Sequence, residues 1–168
     1  QKIVRQYMNM NSPYRGLIVF HGLGVGKTCS SIAIAESFKS ERQIVVILMK
    51  SIKQNYISQL QECGDMYFRK DNHWEFVRTT TVEKRNVALK IGIPPKVLKR
   101  EGGCFLIDFT KESNYDSLTN SQKEKLQEQI MDMINSKYEF RFSNGLTVKQ
   151  LEQMELTNYF DNKTIIID

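Results

Sequence analysis

The segment His21-Gly22-Leu23-Gly24-Val25-Gly26-Lys27-Thr28 constrains this chain more than any other feature. It follows an aliphatic run, residues 16–20, and precedes a helix-forming stretch rich in small residues, 28–38. Strand, glycine-rich bend and helix form the context that a phosphate-binding loop requires. Glycines let the backbone curl so that successive amides point at phosphate oxygens. The helix that follows presents its positive end to the same anion. Lys27 then reaches the β and γ phosphates as a point charge, and Thr28 offers its hydroxyl to Mg²⁺. The nucleotide-binding set is Gly22, Leu23, Gly24, Val25, Gly26, Lys27, Thr28 and Cys29. The strict pattern has glycine where His21 stands, so His21 replaces a small residue at the loop entrance. The plainer alternative is a structural glycine turn. Cys29 by itself reads as a small helix residue facing the sheet.

The rest of the chain supplies a frame for that loop. Residues 16–20 have no polar interruption, the pattern of a strand covered on both faces. Residues 43–49 read as a second buried strand. Ser51 is placed to cap a helix with Ile52, Tyr56, Ile57 and Leu60 on its inner face. Strand, helix, strand, helix is the sign of a parallel sheet with right-handed crossovers. Residues 1–10 have helical spacing, ended by Asn11-Ser12-Pro13. The middle, 64–137, is polar and loses the rhythm, so it reads as an insertion packed beside the core. Within it, 74–77 and 104–109 are strand candidates. Ser121 with Glu124 fits a capping box ahead of a helix carrying Leu126, Ile130, Met133 and Ile134. The pattern resumes with a strand at 138–142, a helix at 147–156 and a buried strand at 164–167. Asp168 follows that strand, where a carboxylate can hold the Mg²⁺ shell beside the phosphates. Division into 1–63, 64–137 and 138–168 follows.

Charge and cysteine usage narrow the partners. Net charge is +5. Residues 1–63 hold eight basic and three acidic side chains, and the remaining 105 hold sixteen of each. The excess lies with the glycine-rich loop and favours a polyanionic ligand; a solvated basic face is the bland alternative. The longest aliphatic run, residues 44–49, has six residues, against the roughly 20 that a membrane span needs. Cys29, Cys63 and Cys104 are widely spaced and odd in number, which points to a reducing compartment and away from zinc. The chain opens on Gln1 rather than Met and is read as a fragment.

The run PYRGLIVFHGLGVGKTCSSIAIAE, the segments YEFRFSNGL and FDNKTIIID, and an upstream glutamine resemble the first RecA-like lobe of superfamily 2 helicases. The resemblance is closest to the Swi/Snf-related helicases of large nucleocytoplasmic DNA viruses. That family includes a poxvirus early transcription factor subunit and a poxvirus nucleoside triphosphate phosphohydrolase. The similar stretches, 1–36 and 138–168, cover 67 of the 168 residues.

The resemblance implies an α/β P-loop NTPase fold, a parallel sheet flanked by helices with an inserted polar subdomain. It implies ATP and Mg²⁺ as cofactors. Gln1 would read the adenine edge, with Gln6 competing for that role. Lys27 and Asp168 would act in catalysis, and Thr28 and Asp168 would hold the metal. Lys50, Ser51 and Lys53 would touch the nucleic-acid backbone, as would a segment near 142–146. It further implies a nucleic-acid track, DNA ahead of RNA, viral transcription subunits as partners, no membrane, and a place in the virion or the infected cytoplasm. The glutamate that follows Asp168 in hydrolysing relatives and the second lobe are absent, so this segment is expected to bind ATP and hydrolyse it very poorly. Two rivals stand beside this reading: a degenerate P-loop subunit serving as a binding module, and a P-loop phosphotransferase.

Overall fold

A computed structural model describes residues 7–8, 12–20, 26–38 and 42–168. The elements run α1 (Lys27–Phe38), β1 (Gln43–Leu48), α2 (Lys53–Cys63), β2 (Trp74–Arg78), α3 (Val82–Lys90), α4 (Pro95–Glu101), β3 (Gly103–Ile107), α5 (Asn120–Lys137), β4 (Tyr138–Phe142), α6 (Val148–Leu156) and β5 (Lys163–Ile167). They form two compact units, Gln1–Asp65 with Lys137–Asp168, and Met66–Ser136.

The first unit is built on a parallel sheet of order β4-β1-β5. β1 is central, and Ile44, Val45, Val46 and Leu48 are fully buried. Side chains alternate along a strand and registered partners share a face. Ile44, Val46 and Leu48 therefore share a face with Tyr138, Phe140 and Phe142, and with Thr164, Ile166 and Asp168. The helices α1 and α2 cover it: Tyr56 of α2 meets Phe140 edge-on, and the Tyr138 hydroxyl donates to Glu36 of α1 at 2.6 Å. Burial pushes the phenols of both tyrosines up, so they stay neutral. α6 begins with a capping box in which Thr147 and Gln150 bond each other's backbone amides.

Three sequence expectations change here. Residues 16–20 are not a strand, and Ile18 and Phe20 are 93% and 96% exposed. No backbone ladder pairs that run. Among the described residues β5 is consequently an edge strand bonded only to β1, and of its isoleucines only Ile166 is buried while Ile167 is 80% exposed. Ser51 makes no cap; it sits in a 3-10 turn, Lys50–Ile52, and Ile52 precedes α2 without a side-chain cap. The cysteines also depart from the reduced reading: packing of α1 on α2 brings the Cα atoms of Cys29 and Cys63 to 5.7 Å, and the two form a disulfide. The expected helix over 1–10 lies mostly outside the described residues.

The second unit pairs β2 and β3 antiparallel, with α5 supplying Leu126, Ile130, Met133 and Ile134 to its core. The spacing of those four places them on one helix face. Trp74 is 2% exposed and its indole N–H donates to the Lys70 carbonyl. The capping of α5 is shifted from the expected Ser121 and Glu124: Thr119 and Gln122 bond each other reciprocally instead. Each free edge of the two-stranded sheet is closed by one side-chain amide. Asn114 bonds both the N–H and C=O of Trp74, and Gln129 does the same for Phe105. Backbone groups that would otherwise be buried without partners are thereby satisfied.

Candidate functional site

α1 opens on Lys27, directly after Gly26, whose φ of 78° is a conformation that suits glycine. The first turn is tied down locally. Ser30 Oγ donates to the Gly26 carbonyl at 3.0 Å, and Ser31 Oγ donates to the Thr28 carbonyl at 2.8 Å. At the other end of the sequence, the Asp168 amide extends the ladder by donating to the Ile47 carbonyl. The alternation of β5 turns the Asp168 side chain to the same face as Ile166, the face covered by α1. Thr28 Oγ1 and Asp168 Oδ2 meet there at 3.4 Å, across 140 residues of sequence.

Lys27, Ser31 and Asp168 line a cavity of about 840 Å³, together with Tyr14, Arg15 and Thr164. Its size falls in the range of small-molecule sites. Among the described residues no group of three or more His, Cys, Asp or Glu side chains gathers as a metal site. The pair that does meet, a hydroxyl and a carboxylate, is a hard oxygen set of the kind Mg²⁺ accepts when phosphate and water complete its octahedron.

Behind the pair, Tyr56 is 1% exposed, and its hydroxyl lies 3.5 Å from Ser31 Oγ. The edge of the Tyr56 ring meets Phe140. Lys53 Nζ stands 5.1 Å from the centroid of Phe140 and 5.9 Å from that of Phe142. Lys50 and Ser51 are exposed, and the Lys50 amide donates to Asn144 Oδ1 at 3.4 Å. The turns after β1 and β4 therefore adjoin, as the register Leu48↔Phe142 requires.

The structure thus brings Lys27 and Asp168 to one cavity, sets Thr28 against Asp168, and places Lys50, Ser51 and Lys53 beside the turn at Asn144. Cys29 faces α2 in its disulfide. Gln1, Gly22, Leu23, Gly24 and Val25 lie outside the described residues. Phe142 and Asn144 fall in the segment 142–146 that the family resemblance implies as a second backbone contact. Ser31, Tyr56 and Phe140 were not read from the sequence as site residues. The alternation of Tyr138, Phe140 and Phe142 was the signal for Phe140, because aromatic residues two apart share a face.

A parallel sheet flanked by helices, with Gly-Lys-Thr opening a helix and a carboxylate at a strand end beside it, is the RecA-like P-loop NTPase architecture. The chain is similar to helicases of large DNA viruses. It is 39% identical over 69 residues to "Putative ATP-dependent RNA helicase R563" of Acanthamoeba polyphaga mimivirus, covering 40% of this chain and 12% of that protein. It is 42% identical over 74 residues to "Putative ATP-dependent RNA helicase L377" of the same virus, covering 40% of this chain and 6% of that protein. It is 33% identical over 69 residues to "Putative helicase 009L" of Frog virus 3, covering 38% and 7%. The chain therefore spans a small part of the length of the relatives it matches. No family model matches the chain, and no solved structure matches it. Among the described residues no helix is long and apolar enough to cross a membrane.

Proposed function

We propose that this chain is the ATP-binding lobe of a nucleic-acid-dependent ATPase of the superfamily 2 helicase type. The observation that carries the reading is the meeting of Thr28 Oγ1 and Asp168 Oδ2 at 3.4 Å, with Asp168 and Lys27 lining one cavity. Gly22 to Thr28 would cradle the triphosphate through backbone amides, and Lys27 would neutralise charge on the β and γ phosphates. Thr28 and Asp168 would hold Mg²⁺, which when bound shields phosphate charge that develops during transfer. Gln1 would contact the base. Residues 64–137 would be an insertion within the lobe.

Nucleic acid would be gripped by its phosphates at Lys50, Ser51 and Lys53, beside the Asn144 turn, and so with little regard to sequence. Tyr56 touches Phe140 on one side and Ser31 on the other, which gives the backbone contact a packed connection to the nucleotide site. DNA and RNA are both admitted by this chemistry. A setting in viral transcription, in the virion or the infected cytoplasm, rests on the family resemblance.

The test is fluorescent ATP-analogue binding to the chain with and without Mg²⁺. Lys27→Ala is expected to abolish binding, and Asp168→Asn to remove its Mg²⁺ dependence. Unaltered binding in Lys27→Ala would show the site to be misplaced. For the full-length protein, ATP turnover is expected to rise on adding single-stranded or duplex nucleic acid; absence of stimulation by any polymer sinks the translocase reading.

A further inference from the structure

The second unit, Met66–Ser136, keeps its charges sorted. From Arg78 to Arg100 it carries seven basic residues and one acidic, Glu83, whereas the remainder of the unit carries five basic and nine acidic. Two of the seven cations are committed to carboxylates. Lys96 pairs with Asp132 at 2.6 Å, and Arg100 reaches Glu101, Glu128 and Asp132. Arg78, Lys84, Arg85, Lys90 and Lys99 are exposed and have no ion pair among the described residues.

The scaffold under these cations is ordered by local devices. Thr81 caps α3 by accepting from the Lys84 amide. The turn into α4 is closed by the Ile93 amide on the Ala88 carbonyl, and Ile93, Val97 and Leu98 are buried. α3 itself buries only Ala88. It leaves Val82, Val87 and Leu89 exposed beside its cations.

Four unpaired like charges on one short helical hairpin, with Arg78 at the end of β2 just before it, repel each other, and a polyanion relieves that repulsion while releasing its own counterions. The segment contains no aromatic residue, so it has nothing on which to stack a base. It also lacks the Trp and Phe that seat a helix at a lipid interface. We infer that the arm formed by the end of β2 with α3 and α4, through Arg78, Lys84, Arg85, Lys90 and Lys99, is a sequence-independent contact for the phosphate backbone of a nucleic acid. The contact is additional to the one at Lys50, Ser51 and Lys53. It rests on the nucleic-acid reading proposed above, and extends it to a surface outside the nucleotide-binding unit.

The experiment measures fluorescence anisotropy of labelled mixed-sequence oligonucleotides, single-stranded and duplex, with the 168-residue chain at salt from about 50 to 200 mM. The charge-reversed variant Lys84→Glu/Arg85→Glu/Lys90→Glu is expected to weaken binding at least about tenfold at the lowest salt. The slope of log affinity against log salt should flatten by about two to three. The neutral variant Lys84→Gln/Arg85→Gln/Lys90→Gln, with an unchanged melting curve, is expected to lose less affinity and to flatten the slope similarly. Unchanged affinity and slope in either folded variant overturn the proposal. So does a loss confined to phosphatidylserine vesicles with oligonucleotide binding intact, because that outcome assigns the arm to a lipid surface. Fluorescent ATP-analogue binding is read in parallel. Nucleotide binding retained alongside an oligonucleotide response indifferent to the arm removes this inference and leaves the ATPase reading standing.

Discussion

Gln129 turns both ends of its amide onto one residue, Phe105: its Oε1 accepts from the Phe105 N–H and its Nε2 donates to the Phe105 carbonyl, each at 2.8 Å. Both residues are buried, at 2% and 3% exposure. A helix side chain here does the work of a missing third strand. Leaving a buried donor or acceptor unmet costs about 1–3 kcal/mol. Gln129→Leu is therefore expected to lower unfolding free energy by at least about 2 kcal/mol in urea titration. Gln129→Glu accepts from the N–H and, when ionised, has nothing to donate to the carbonyl. It should be destabilised more at pH 7 than near pH 5, where a protonated carboxyl can donate. Equal losses at the two pH values would remove this account of Gln129.

The Cys29–Cys63 disulfide closes a sequence separation of 34 residues between the first turn of α1 and the last turn of α2. Constraining the unfolded chain over such a loop is worth about 3–4 kcal/mol. Cys29→Ser/Cys63→Ser, or full reduction, is expected to lower the melting temperature by several degrees. Burial pushes the Cys104 thiol up to about 11, so Cys104 stays protonated at pH 8. Iodoacetamide on the native reduced chain should label Cys29 and Cys63 and spare Cys104; peptide mapping that finds Cys104 labelled at a similar rate would contradict its burial.

Acid should destabilise the second unit by a defined route. The Thr110 hydroxyl and amide, then Lys111, hold the Asp108 carboxyl well below its usual value. Lys111 lowers Glu75, and Arg100 with Lys125 lower Glu101. With these carboxyls depressed, the folded state binds fewer protons than the unfolded chain through this range, so stability falls as pH falls. Their contribution is complete above about pH 5 and is lost progressively toward pH 2. Asp108→Asn is expected to melt below the parent chain at pH 7, with the gap narrowing steadily from about pH 5 down to pH 2. Parallel melting profiles across that interval would exclude Asp108 as a source of the acid sensitivity.

Much of the architecture was open to reading along the chain. The spacing of Leu126, Ile130, Met133 and Ile134 marks one helix face, and the aliphatic run 44–48 marks the central strand. Such periodicities are set by neighbours a few residues apart and survive in any context that buries one side. Thr147 and Gln150 declare a helix start for the same local reason. Ser121 and Glu124 satisfied that pattern equally well and lost to Thr119 and Gln122, because the capping rule alone does not choose between overlapping matches.

By itself, the order of residues determined that glycines lead into a helix beginning Lys27-Thr28, that strands and helices alternate around it, and that Asp168 follows an aliphatic strand. Only the tertiary structure decided that Thr28 and Asp168 meet, that Cys29 bonds Cys63, that 16–20 stays out of the ladder, and that Lys53 stands over Phe140 and Phe142. It also decided that Arg78, Lys84, Arg85, Lys90 and Lys99, in a stretch whose basic excess is already visible in the sequence, are exposed and without ion pairs among the described residues. Those outcomes depend on register and helix packing between segments many residues apart, and local patterns along the chain do not encode which distant surfaces come into contact.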